Sequence, residues 1–296
     1  MSELPNIDLL WDYSNPVATE SKMLDILSMA ETSGDIDYMV QLLTQVARAQ
    51  GLQCKLEKAH QTLDRVQTIL NPEHAVSSIR YLLERGRIYK LDEKSGTAKS
   101  YFQQAWSMAC EMEQEFYAID SAHMLANCEK GDTALMWNEQ AIKRAETSED
   151  RRAKEWFGIL YKNRGWIHHR MGNFDKALEQ FKRALEWVGG QDSRQAVRSA
   201  KWAVARTLRS LQRVTEAYEM QKELLSEYED TGETNPYVLE ELGECLLLIG
   251  HFNVARPFFA MAYEEFSKDE RFRSKESLRL ARLGDFANGK NGDSET

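Results

Sequence analysis

Proline and glycine are scarce in this chain, 5 and 16 among 296 residues. With few helix breakers and much Leu, Ala, Glu, Gln, Lys and Arg, its composition favours helix. No run of alternating β-branched residues reads as a strand, which excludes a sheet-based fold. The four cysteines, Cys54, Cys110, Cys128 and Cys245, are scattered with no CxxC pair. That pattern suits buried thiols in a reducing, cytoplasmic compartment. Long apolar runs are missing too. The stretches near Leu82 and Leu246 fall well short of the ~20 residues that span a bilayer, so no membrane role is expected. The opening MSELPNIDLLWDY lacks the basic region and apolar core of a secretory signal. Cationic excess is absent: 47 acidic residues against 38 basic give a formal charge of -9. Bulk charge therefore argues against nucleic acid as a partner, leaving only a local basic patch.

Catalytic signatures are absent as well. There is no HExxH, no Gly-rich phosphate loop and no nucleophile elbow, so no catalytic, cofactor or metal residue is predicted. His168 and His169 are adjacent, and neighbouring helical side chains point apart, which ill suits a shared metal. His168 is expected in the core and His169 on the opposite, inward side.

What the chain does have is six pairs of small residues, each spaced by twelve: Ala47 with Ala59, Gly86 with Ala98, Ala122 with Ala134, Gly165 with Ala177, Ala205 with Ala217, and Gly243 with Ala255. A repeated close approach of two helices explains such pairs. Gly inside an apolar helical pattern costs about 1 kcal/mol against Ala, so Gly165 is expected to have a packing reason, with Ala177 brought against it. Met171-Gly172-Asn173 is the predicted turn between those helices, and Phe181 and Ala184 continue the buried stripe.

The unit Tyr161, Gly165, His168, Gly172, Ala177, Phe181 and Ala184 resembles the tetratricopeptide repeat, as does Leu239, Leu242, Gly243, Leu246, Gly250, Phe252, Ala255, Phe259 and Ala262. Four weaker units share the spacing; Asn138 and Gln221 stand where the family has an aromatic. The resemblance implies an all-α, right-handed superhelical solenoid of antiparallel helix pairs, with six repeats over 40–73, 79–112, 115–148, 158–191, 198–231 and 236–269. Spacings exceed the family's ~34 residues, and polar loops such as ETSEDRR and EDTGETNP absorb the surplus, the latter a candidate joint. Pro257 is expected to bend or delay its helix. Residues 1–39 are read as an N-terminal segment and cap helix, 271–286 as a C-terminal cap helix and 287–296 as a disordered tail. The apolar segment Ile7 to Tyr13 is expected to pack on its own chain or, failing that, in the groove of a neighbouring one.

In the resembled family the first helix of each repeat lines the concave surface. Counting Gly or Ala as position eight, the inward positions carry Arg48, Arg80, Arg87, Lys90, Lys162, Arg170, Arg206 and Arg209, opposed in that set by Glu240 and Glu244. This basic groove on an acidic chain predicts a protein or peptide partner of acidic character, held by Arg forks. The predicted partner-binding residues are Arg48, Arg87, Lys90, His123, Lys162, Asn163, Trp166, His169, Trp202, Arg206 and Arg209, with the aromatics as anchors. The function expected is a non-catalytic interaction scaffold, with self-association into a homo-oligomer as a second mode. The alternatives are a regulatory protein that changes shape on binding a small anion or signalling peptide and, more weakly, an enzyme built on the solenoid.

Overall fold

The computed structural model describes residues 4–191 and 193–290. All regular structure among them is helical. In chain order, a short 3-10 turn (Ile7–Leu10) precedes α1 (Pro16–Ser33), α2 (Ile36–Leu52), α3 (Leu56–Ile69), α4 (Ala75–Leu91), α5 (Ser95–Glu111), α6 (Glu115–Ala126), α7 (Gly131–Thr147) and α8 (Arg151–Lys154). Then follow α9 (Phe157–Arg170), α10 (Phe174–Gly189), α11 (Arg194–Ser210), α12 (Val214–Glu229), α13 (Pro236–Leu248), α14 (Phe252–Ser267), α15 (Glu270–Lys275) and α16 (Ser277–Ala287). The chain divides into two compact units, residues 1–160 and 161–296.

In five of the six repeats the two helices are joined by the same device; the third, between α6 and α7, lacks it. Cys54, Glu93, Gly172, Gln212 and Gly250 all have positive φ, and each lies seven residues after the small residue of its repeat. The next amide reaches back across the end of the first helix: Lys55 to the Gln50 carbonyl, Lys94 to Tyr89, Asn173 to His168, Arg213 to Leu208 and His251 to Leu246, all at 2.9–3.0 Å. That bond closes the helix and reverses the chain. The second helices α3, α5, α7, α10, α12 and α14 start without a side-chain cap. By contrast Asn15, Asp35, Ser193 and Asn235 cap α1, α2, α11 and α13.

The small residues are buried as expected, but what they accommodate differs. An added Cβ on Gly165 would meet the ring of Phe181 at 2.5 Å, and Ala177 lies one turn earlier. Gly86 faces Phe102 at 2.5 Å and Gly243 faces Phe259 at 2.8 Å. In the other three repeats the corresponding residues are Leu63, Asn138 and Gln221, and there the first helix carries Ala47, Ala122 and Ala205. Glycine thus occurs where the second helix sends a phenylalanine across, and alanine where the opposing side chain is smaller. This is volume matching in a close-packed interior.

In unit 1, α1 packs against α2 as an N-terminal cap, and α2, α4 and α6 lie side by side. Glu20 of α1 is buried and accepts from Gln50 Nε2 (3.0 Å), Gln53 Nε2 (2.8 Å) and Lys58 Nζ (2.7 Å), which pins the cap. In unit 2, α11 and α13 are neighbours, each backed by its partner helix, and α16 closes the end against α14.

Several expectations change. The extra residues after α7 include one helical turn, α8. Pro257 sits inside α14 without delaying its start at Phe252. The C-terminal cap, expected as one helix over 271–286, is divided at Glu276. The EDTGETNP stretch is tied down rather than free: Glu233 N bonds the Tyr228 carbonyl (3.0 Å), Asn235 Nδ2 the Tyr228 hydroxyl (2.9 Å), and Arg198 Nη1 the Glu233 carboxylate (2.7 Å). Of the predicted tail, Ala287 belongs to α16 and Lys290 N bonds the Asp285 carbonyl at 2.9 Å. Residues 291–296 lie outside the described residues.

Candidate functional site

The first helices present their position-nine residues beside position six of the next repeat, and ion pairs form across that step. In unit 1, Arg48 lies 3.4 Å from Glu84. Arg87 takes both Glu84 and Asp120 at 2.5 Å. In unit 2, Arg206 and Arg209 share Glu241, the Arg209 contact measuring 2.7 Å. Arg279 and Arg282 of α16 continue the series onto Glu240 and Glu244 of α13.

These pairs correct the sequence reading of the inward charge. Glu84, Asp120 and Glu241, two residues before the small position, oppose the basic residues and were omitted from the inward set. The series is nevertheless asymmetric in depth. The Glu241 side chain is 1% exposed and that of Glu84 2%, while Arg206 and Arg48 retain 30% and 28%. The carboxylates lie beneath, and guanidinium edges reach solvent. Burial opposes the charge on Arg87, but Asp120 and Glu84 outweigh it and hold its proton more firmly than usual. Arg209 behaves likewise, burial being outweighed by Glu241. An arginine fixed on one side by a buried carboxylate loses little further rotamer freedom when a ligand takes its outer donors.

The other predicted residues fall into the two units as follows. In unit 1, Lys90 Nζ donates to the Asn127 carbonyl at 3.2 Å, and burial lowers its pKa. His123 Nε2 lies 2.9 Å from Asn127 Nδ2, and its ring packs 5.5 Å from Trp156. In unit 2, Lys162 is half-buried, and burial alone lowers its pKa. Asn163 is buried and so is not presented at the surface. Trp166, Trp202 and Tyr237 form a stripe with successive ring separations of 5.8 Å. Trp202 Nε1 donates to the Tyr237 carbonyl (3.2 Å), which fixes the indole, and Arg206 lies 5.7 Å over its ring. His169 sits beside Trp166 at 5.4 Å, with Nε2 3.0 Å from the Ser210 hydroxyl; burial, then Arg206, lowers its pKa. His168 is in the core, as predicted. The structure thus brings Trp166, His169, Trp202, Arg206 and Arg209 together in unit 2, and Arg48 with Arg87 in unit 1.

Two contributors were missed. The N-terminal segment lies on its own chain, as expected, but across the first helices α2 and α4: Trp11 Nε1 donates to Gln45 Oε1 at 3.1 Å and Asp8 pairs with Arg80 at 2.6 Å. Arg279 and Arg282 could have been found by extending the repeat index past the last unit. Among the described residues no group of three or more His, Cys, Asp or Glu could hold a metal ion, and no helix is long and apolar enough to cross a membrane.

The family model described as tetratricopeptide repeat matches residues 159–186. No curated protein matches the chain in sequence. Among solved structures, it is similar to a signal transduction ATPase with numerous domains from Pyrococcus horikoshii that carries a tetratricopeptide repeat sensor (TM-score 0.67, 15% identity, 96% of this chain). The chain spans 46% of that protein's length. It is also similar to NprR, solved in complex with its cognate peptide NprX (TM-score 0.63, 13% identity, 93% of this chain and 82% of that one). A third likeness is to a tetratricopeptide repeat protein from Parabacteroides merdae (TM-score 0.54, 17% identity, 93% and 96%).

Proposed function

We propose that this chain, a tetratricopeptide-repeat protein by its matched repeat and its fold, is a non-catalytic scaffold that binds an extended protein segment of acidic character on its first helices. The observation that carries the reading is the face of unit 2, where the half-exposed Trp166–Trp202–Tyr237 stripe runs beside Arg206 and Arg209. Aromatic rings held by packing give contact area at small entropic cost, and the neighbouring guanidiniums give orientation and charge selection. Because Glu241 and the indole hydrogen bond already position these groups, most of the ordering cost falls on the ligand.

The likeness to NprR, solved in complex with its cognate peptide NprX, supports a peptide as the occupant. In unit 1, taken by itself, Arg48, Arg87, Lys90 and His123 are proposed as partner contacts. His169 stands beside Trp166 in unit 2, and Lys162 and Asn163 are proposed as further contacts of the same helix.

The test is binding to a panel of acidic synthetic peptides with and without a tryptophan, alongside charge-reversed versions, at two ionic strengths. The reading expects acidic peptides to bind, more weakly at high salt, and Trp202→Ala and Arg206→Gln each to lower affinity about tenfold or more, in line with the ≥1.4 kcal/mol of an anchor residue. Equal affinity for charge-reversed peptides would discard the acidic partner, and unchanged affinity in both variants would discard the face.

A further inference from the structure

Helices α2 and α4 of unit 1 already hold a peptide, the chain's own N-terminal segment. Residues 4–13 cross α2 and α4 as extended chain around one 3-10 turn. The hydroxyl of Tyr38 donates to the Pro5 carbonyl at 2.8 Å, Arg80 donates to Asp8 at 2.6 Å, and Gln45 accepts from Trp11 at 3.1 Å. Arg48 stands 5.5 Å over each of the stacked Trp11 and Tyr13 rings. Ile7 and Leu10 are buried, whereas Leu9 is 81% and Tyr13 61% exposed.

Those proportions distinguish the segment from a plain lid on the core. A lid would bury its apolar residues together. This one turns Leu9 outward and is gripped by a tyrosine hydroxyl, an arginine and a glutamine at separate points along its length. That is how a groove reads a peptide: an apolar side chain in a pocket on either side of a paired carboxylate, then an indole bonded through nitrogen. Charge agrees, since residues 4–13 contain two acids and no base. The groove is also wider than its occupant. A cavity of about 470 Å³ remains between Trp11 and Tyr13 on one side and Phe116, Asp120 and Trp156 on the other.

The geometry points to a second, distinct peptide site: the inner face of α2 and α4 binds an extended partner segment with an aspartate three residues before a tryptophan, and residues 4–13 fill it in cis until such a segment replaces them. The inference rests on the peptide-binding reading for the kind of ligand, while using residues of unit 1 rather than the Trp202 stripe of unit 2. The tethered segment competes at high effective concentration. If it is docked about nine-tenths of the time, an outside peptide binds about tenfold more weakly than to an open groove.

The experiment uses the full chain and a fluorescein-labelled synthetic peptide with the sequence of residues 1–14, read by anisotropy. Asp8→Asn with Trp11→Ala in the protein releases the internal segment and should tighten probe binding about tenfold or more over the unaltered chain. Arg48→Gln added to that variant should weaken it again, and a probe carrying Asp8→Lys should not bind. Asp8→Asn alone leaves Ile7, Leu10 and Trp11 in place and so keeps the fold; it should give a smaller gain in the same direction. No gain in either variant, or equal binding of the Asp8→Lys probe, overturns the inference. Trp202→Ala should leave probe affinity unchanged. If it abolishes binding, the probe sits on unit 2, and this site fails while the proposed function stands. If neither the probe nor any acidic peptide binds, both fail.

Discussion

Gly165→Ala measures how tightly the helix pairs are matched. The new methyl would stand 2.5, 2.7 and 2.9 Å from three atoms of the Phe181 ring, where ordinary contact needs about an ångström more. Phe181 is fully buried and cannot swing into solvent. Overpacking of this kind costs about 1–3 kcal/mol. Helix propensity opposes it, because Ala is favoured over Gly by about 1 kcal/mol. The net expectation is a loss of about 0–2 kcal/mol, too close to zero at its lower end to decide anything alone. The double-mutant cycle decides it. Phe181→Leu by itself opens a void and costs less than the ~3–5 kcal/mol of a Phe→Ala truncation. Together, Gly165→Ala and Phe181→Leu recreate the Ala47 and Leu63 pairing of the first repeat. The double variant should therefore be more stable than the sum of the single losses predicts, with a coupling of about 1–2 kcal/mol. The assay is urea unfolding by circular dichroism, with hydrogen exchange in α9 and α10 to localise the effect. Additivity within ~0.5 kcal/mol would refute the volume-matching argument.

Three further outcomes follow from particular residues. Gln212 holds a positive φ at an exposed turn where two other repeats use glycine, so Gln212→Gly should raise stability by about 0.5–1 kcal/mol in urea melts, relief of left-handed strain exceeding the added chain entropy. Gln221 is fully buried with neither amide atom hydrogen-bonded, so Gln221→Leu should stabilise by about 1 kcal/mol or more; a loss would show that the amide has a partner. His168 is buried, and burial lowers its pKa below the ordinary 6.5. The unfolded chain therefore takes up the proton first. Stability present above pH 6.5 should decline as pH falls through that lower value, by at most about 1.4 kcal/mol per pH unit. His168→Gln should flatten that part of the profile, and an unchanged slope would exclude His168 as its source.

Much of this fold was legible because the signal was steric and periodic. The twelve-residue pairs located all six helix pairs, since a close approach tolerates few residue types. What lay across each glycine was not legible from spacing alone. Cβ direction sends the contact of Gly165 one turn past Ala177, to Phe181. The face of the first helices was half legible. Helical phase placed Trp166, Trp202, Arg206 and Arg209 on one side, yet the counter-charges Glu84, Asp120 and Glu241 come from the neighbouring repeat, and their depth depends on how repeats stack. The position of residues 4–13 is a tertiary choice. Their apolar content required burial somewhere, and only the partners Arg80, Tyr38 and Gln45 fix where.

The claim that peptides are held on the first helices is tested most directly by photo-crosslinking. A benzoylphenylalanine in place of Trp202 and another in place of Glu223, exposed on α12, are each irradiated with the tightest acidic peptide of the panel. The account predicts a crosslink from position 202, lost when unlabelled peptide is in excess, and none from 223. Crosslinking from 223 alone would place the ligand on the second helices and contradict it.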